Sequence, residues 1–137
     1  MIKRSFDVGL LRDATEPYAH ELHGFDPEAW LADERNIALT DDGENYNLLE
    51  YELPGVYTGH TFFIKRGRAA KAHLHEALRV AFTEFPVEVI RGLTPIKLVG
   101  ARWMARQGGF KSHGVVQTLV GPCELFILSK HKYLGTG

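Results

Sequence analysis

One stretch limits what this chain can fold into more than any other: Phe62 to Phe85, FFIKRGRAAKAHLHEALRVAFTEF. Phe62, Phe63 and Ile64 read as the end of an apolar strand. Lys65-Arg66-Gly67-Arg68 reads as a short basic loop, and an unbroken helix then runs to Phe85, just ahead of Pro86. Ala70, Leu74, Ala77, Leu78, Ala81, Phe82 and Phe85 recur at helical spacing, so they predict one buried face. Lys71, His75, Glu76, Arg79 and Glu84 fall on the other side. A strand, a glycine-bearing basic turn and a helix N-terminus together make an anion site. The first-turn N–H groups lack helical partners, and the peptide dipoles place positive charge there. Arg66 and Arg68 add forked donors suited to phosphate. The same residues also read as an ordinary connection with solvated arginines, because one glycine is a weak phosphate-loop signal.

The remaining elements follow from caps, breakers and periodicity. Ile2 to Phe6 predicts a short strand. Asp7 caps a helix from Val8 to Ala19 that Pro17 kinks or ends. Asp26-Pro27-Glu28 starts a second helix running to about Arg35 and burying Trp30 and Leu31. Ile37 to Leu39, Tyr46 to Leu53 and Val56 to Ile64 read as an antiparallel meander with turns at Asp42-Gly43 and Pro54-Gly55. Val87 to Leu93 is the next strand. The helix before it predicts that it lies parallel to Val56–Ile64. Thr94 and Pro95 predict the cap and first residue of another helix, with Ile96, Val99, Trp103 and Met104 buried and Gly108-Gly109 as the stop. Gly114 to Val120 and Glu124 to Leu128 form a final hairpin turned by Gly121-Pro122. The expected order is β-α-α-β-β-β-α-β-α-β-β: an α/β mixed sheet with helices on its faces.

With 137 residues, the chain predicts a single domain over 1–137, with 133–137 as a flexible tail. Hydrophobic residues at 45% and charged residues at 24% fit a globular protein, and a net charge of -1 gives no general attraction to nucleic acid or anionic membrane. Cys123 is the only cysteine, so no intrachain disulfide forms, and a cytoplasmic setting is expected. The N-terminal MIKRSFDVGLLRDATE turns acidic too early for a secretory signal. No apolar run approaches the roughly 20 residues that span a bilayer.

This element order resembles the GNAT superfamily of acetyl-coenzyme A-dependent N-acetyltransferases. The resemblance covers nearly the whole chain, and two local patterns carry it. Arg66-Gly67-Arg68-Ala69-Ala70-Lys71 is similar to the pyrophosphate loop R-G-R-G-x-G. Ala101 to Phe110, ARWMARQGGF, is similar to the fourth-helix ending A-R-x-L-Y-E-K-x-G-F. The resemblance implies that acetyl-coenzyme A or coenzyme A is held by Ile64, Arg66, Gly67, Arg68, Ala69, Ala70 and Lys71, and that a small amine is the acceptor. The departures are specific. Ala69 and Lys71 replace loop glycines. The tyrosine that protonates the leaving thiolate falls at Ala105, which has no proton to give, and the helix asparagine falls at Leu98. YELPGVYTGHTFF, GLTP and ARWMARQGGF are also similar to short proteins of tailed bacteriophages, some described as head-assembly or internal virion proteins. That narrower likeness implies a degenerate catalytic site and a role in head assembly or protein interaction. Its partners would be phage structural proteins, in the host cytoplasm or virion. The alternative is acetyl transfer to an amine.

His60, on the strand entering the basic loop, can accept a proton near neutral pH. Glu52 and Glu50 on the preceding strand are rival bases. All three also read as ordinary strand residues. His73 and His75 diverge on their helix, and His20 and His23 lack a third ligand, so no metal site is expected. Cys123 lacks a paired base and reads as structural. Trp30, Trp103 and Met104 read as core. Two basic groups, Lys65, Arg66, Arg68 and Lys71, and Arg102, Arg106 and Lys111, suit coenzyme phosphates. Aromatic interleaving, which would favour nucleic acid, is missing.

Overall fold

The computed structural model describes residues 1–21, 24–41, 45–62 and 68–135, without the side chains of 19–21 and 62. Its elements in chain order are β1 (Lys3–Arg4), α1 (Val8–Thr15), a 3-10 segment (Glu16–Glu21), α2 (Pro27–Ala32), β2 (Ile37–Thr40), β3 (Tyr46–Leu53), β4 (Val56–Phe62) and α3 (Arg68–Glu84). These are followed by β5 (Val89–Pro95), α4 (Val99–Gln107), β6 (Lys111–Thr118), β7 (Gly121–Ser129) and α5 (Lys130–Tyr133). The expected order holds, with the 3-10 segment and α5 added. The Asp42-Gly43 turn lies outside the described residues.

The strands form one sheet in the order β1-β2-β3-β4-β5-β7-β6. Among the described residues, only β4 and β5 run parallel, as a strand–helix–strand unit requires. The period-2 alternation of β2 and β3 divides the core in two. Ala38, Tyr46 and Leu48 pack against Leu11 and Ala14 of α1, with Trp30 and Leu31 of α2 partly buried on them. Leu39, Leu49, Tyr57, Ile90 and Leu128 face the opposite side, against α3. That helix buries the expected stripe except Phe85, which is only partly covered, and buries His73 and Val80 in addition.

Local chemistry fixes most helix starts. Asp7 accepts from the Leu10 N–H at 3.0 Å, and Asp26 accepts from the Glu28 N–H at 3.1 Å with Pro27 following. Pro17 stops α1 by converting it to the 3-10 segment.

Three expectations need correction. Thr94 and Pro95 do not open α4. They continue β5, opposite Glu124 and Cys123 of β7, and the Ile96 N–H donates to the Pro122 carbonyl at 3.2 Å, so the ladder outlasts the capping signal. The helix starts at Val99 without a side-chain cap. It is therefore rotated from the expected face: Trp103 is 48% exposed and Val99 69%, while Met104 packs on the core. Second, Gly121 and Pro122 begin β7 rather than forming the turn. Gly121 pairs with Thr118, and β6 starts early at Lys111, its register shifting at a bulge between Ser112 and Val115 that holds Gly114 (φ +94°). Third, Tyr133 is not a loose tail residue, for its ring stacks on Phe82 with centroids 5.0 Å apart.

Candidate active site between strands β4 and β5

The parallel pair is short. Val56, Tyr57 and Thr58 oppose Val89, Ile90 and Arg91, and there the pairing stops. Beyond it β4 stays on β3, from Gly59 opposite Leu49 to Phe62 opposite Tyr46. Meanwhile β5 stays on β7, from Gly92 opposite Phe126 to Pro95 opposite Cys123. The two strands part at Gly59 and Gly92, leaving a V-shaped cleft edged by backbone groups without ladder partners across it. Glycine at the crotch lets the backbones approach closely: a Cβ on Gly59 would lie 3.0 Å from Ile90 Cγ2, and one on Gly92 would lie 4.0 Å from the Gly59 carbonyl oxygen. A cavity of about 690 Å³, mouth included, opens here. Leu74, Ala77, Leu78 and Ala81 of α3 roof it, and Ala101, Met104 and Ala105 of α4 close one side. Among the described residues, the polar ones in its lining are Asn47, His60, Thr61 and Thr94.

Among the described lining residues, His60 alone has a titratable side chain. It stands on β4 opposite Leu48, and its Nε2 lies 3.6 Å from Glu50 Oε1. The Trp30 indole N–H donates to that same Glu50 oxygen at 3.3 Å. Loss of hydration holds the His60 imidazole below its ordinary pKa of 6.5, while Glu50 and then Glu52 pull it upward. The ring is open on one side, with its side chain 42% exposed, yet protein surrounds it elsewhere and the neutral form prevails. Glu52 accepts a hydrogen bond from the Thr58 hydroxyl at 2.7 Å and lies outside the cavity wall. Of the carboxylates named in the sequence, Glu50 makes the direct contact with His60, and Glu52 acts on it through its charge.

Arg68 is the first residue of α3; it and Ala69 are exposed, Lys71 is half-buried and Ala70 is core. Ile64, Arg66 and Gly67 lie outside the described residues. The second basic group reads differently from expectation. Arg102 Nε and Arg106 Nη2 donate to the buried Glu124 carboxylate at 2.8 and 2.7 Å, so these guanidiniums hold α4 to β7 and are not left for phosphates. Hydrogen bonds from Ser112 and Arg102 keep the Glu124 carboxyl below its ordinary range. Ala105 lines the cavity, whereas Leu98 precedes α4 and is 42% exposed. Cys123 is buried beside the Thr118 hydroxyl, 3.6 Å away.

Sequence reasoning missed Asn47, whose side-chain amide lines the cavity and lies 3.0 Å from Nδ1 of the buried His73. It also missed Gly59 and Gly92. Isolated glycines inside two neighbouring strand runs are a signal of close backbone approach that was there to be read.

No family model and no curated protein sequence matches the chain. Solved structures do. A variant of the spermidine N-acetyltransferase SpeG from Vibrio cholerae superposes with a TM-score of 0.74 at 13% identity, covering 99% of this chain and 98% of that one. Aminoglycoside acetyltransferase AAC(6')-Ib in complex with coenzyme A and kanamycin gives 0.69 at 16% identity, covering 99% and 98%. AAC(6')-Ib with paromomycin and acetyl-coenzyme A gives 0.71 at 16%, covering 99% and 96%. At these identities the likeness establishes the fold, which is that of the GNAT acetyltransferases.

Proposed function

We propose that this chain is an N-acyltransferase that takes its acyl group from a coenzyme A thioester and delivers it to a small amine. The observation that carries this reading is the cleft where β4 leaves β5, with His60 on its β4 edge carrying a neutral imidazole on the α2 side of the sheet. The residues fit the donor. A narrow, glycine-edged slot with unpaired strand backbone suits an amide-bearing thioester arm, and Arg68, Lys71 and the first turn of α3 suit its phosphates.

Bound there, the thioester supplies an activated acyl carbon, so that a C–N bond to the amine replaces the C–S bond. His60 takes the proton that the amine nitrogen sheds, and its depressed pKa keeps it in the receptive form at neutral pH. Glu50 steadies the resulting imidazolium, and Trp30 holds Glu50 in place. The two carboxylates beside His60 favour a cationic acceptor. Ala105 offers no acid to the departing thiolate, and the reaction tolerates that. A thiol with a pKa of about 8.5 leaves without the help an alkoxide needs.

Spermidine and aminoglycosides are named with the structures that share this fold, which supports a small amine acceptor. The comparisons favour this reading over head assembly. The test is release of free thiol from acetyl-coenzyme A with a panel of polyamines and aminoglycosides, read with the mass of the acylated product. His60→Gln should slow transfer by about 10²–10⁴-fold. Failure of the whole panel, or an undiminished His60→Gln variant, contradicts the proposal.

A further inference from the structure

The cavity extends well past the cleft. Besides the β4 and β5 edges it is lined by Leu39 on β2 and Phe126 on β7, each two strands away from β4 in the sheet order. At about 4.8 Å per strand, its wall reaches roughly 10 Å from β4 on the β2 side, and on the other side it crosses the parted β4–β5 gap to β7. Apart from Asn47, opposite Leu39, the deep walls are apolar; on the α4 side the half-buried Ala105 and, at the mouth, the exposed Ala101 present only methyl groups. Protein cores are close-packed, and an apolar void forfeits dispersion contacts on every wall. Cavities of this lining bind apolar guests.

The thioester arm does not fill this space. Its amides need hydrogen-bond partners, and on the α4 and β7 side Leu78, Ala81, Ala105 and Phe126 have none to offer from their side chains. The arm belongs in the slot, where unpaired strand backbone meets it. An acetyl group then extends only one C–C bond, about 1.5 Å, beyond its carbonyl. Most of the apolar space beyond His60 would stay empty.

Resting on the proposed acyl-transfer reading, we infer that the acyl group this cleft is shaped for is an aliphatic chain longer than acetyl, with the half-buried Ala105 setting the permitted length. The chain lies against α4 and Phe126, and the amine approaches from the His60 side.

The test is calorimetric binding of coenzyme A, acetyl-, butyryl- and hexanoyl-coenzyme A to the wild-type chain. Each buried methylene should tighten binding by about fourfold, so butyryl should bind about fifteenfold tighter than acetyl. Affinities equal within about twofold across the series, or falling with length, would overturn the inference while leaving coenzyme A binding intact. If no thioester of any length binds, the acyl-transfer reading falls with it. Ala105→Leu, checked for an unchanged melting curve, should erase the butyryl preference and keep coenzyme A affinity. A variant that retained the full preference would overturn the assignment of the α4 wall. The wild-type series decides the matter even where that variant fails to fold.

Discussion

His60 Nε2 stands 3.6 Å from Glu50 Oε1, diagonally across the β3–β4 pair, with Trp30 bonded to the same oxygen. The contact joins a strand of the meander to the edge of the cleft, and it opposes the burial that lowers the His60 pKa.

Burial lowers the His60 pKa and Glu50 raises it, so the acid limb of kcat/KM should fall below pH 6.5. Glu50→Gln removes the opposing charge and should move that limb lower still, while Trp30→Phe should mainly loosen Glu50. The stability consequence has a definite sign. The unfolded chain takes up the proton first, so stability declines as pH drops from 6.5 towards the lower folded value. His60→Gln should flatten that part of the curve. NMR titration of the imidazole reads the same shift without any activity assay.

Core and surface should respond in opposite ways. Leu78 and Phe82 are 4% and 0% exposed, so Leu78→Ala should cost about 2–5 kcal/mol and Phe82→Ala about 3–5 kcal/mol in denaturant unfolding. Trp103, at 48% exposed, should tolerate alanine within about 0.5–1 kcal/mol. Equal costs for Phe82 and Trp103 would mean that α4 faces the core after all.

Much of the fold was legible because its signals are local. The α3 stripe and the Asp7 and Asp26 caps each fix an element from a few neighbouring residues. The parallel β4–β5 pairing followed from the helix between them. The α4 start was misread because Thr94-Pro95 is a good capping signal that a non-local competitor, the β7 ladder, outweighs. The same long-range pairing turned Trp103 outward. In the site, His60 stood out by residue type, but its link to Trp30 spans a helix and two strands and leaves no local trace. The cleft itself depends on where a ladder stops, which only the assembled sheet determines.

Glu124 should behave as a structural anchor. It is buried, accepts from Arg102 and Arg106, and has a carboxyl pKa depressed by Ser112 and Arg102. The depressed value means that its contribution is present above the unfolded pKa of 4.5 and lost as pH falls through the folded one. Glu124→Gln should lower the melting temperature at pH 7 by several degrees and by much less at pH 3. The exposed Asp33–Arg35 pair gives the contrast, since Arg35→Ala should barely shift it.

Charge at the start of α3 should govern affinity for the donor's phosphates. Arg68→Glu should weaken coenzyme A binding by about tenfold and reduce its salt dependence, with little change in stability because Arg68 is exposed. Unaltered affinity would place the phosphates elsewhere.

The most direct measurement is a calorimetric titration of the chain and its Gly92→Leu variant with acetyl-coenzyme A. Gly92 sits at the crotch, where an added Cβ meets no atom closer than 4.0 Å, so the backbone accepts a side chain there and the leucine branch is directed into the slot. Saturable one-to-one binding to the wild-type chain is predicted, with none to Gly92→Leu at an unchanged melting temperature. No binding to the wild type at millimolar concentration, or undiminished binding to the variant, would contradict a coenzyme A site between β4 and β5.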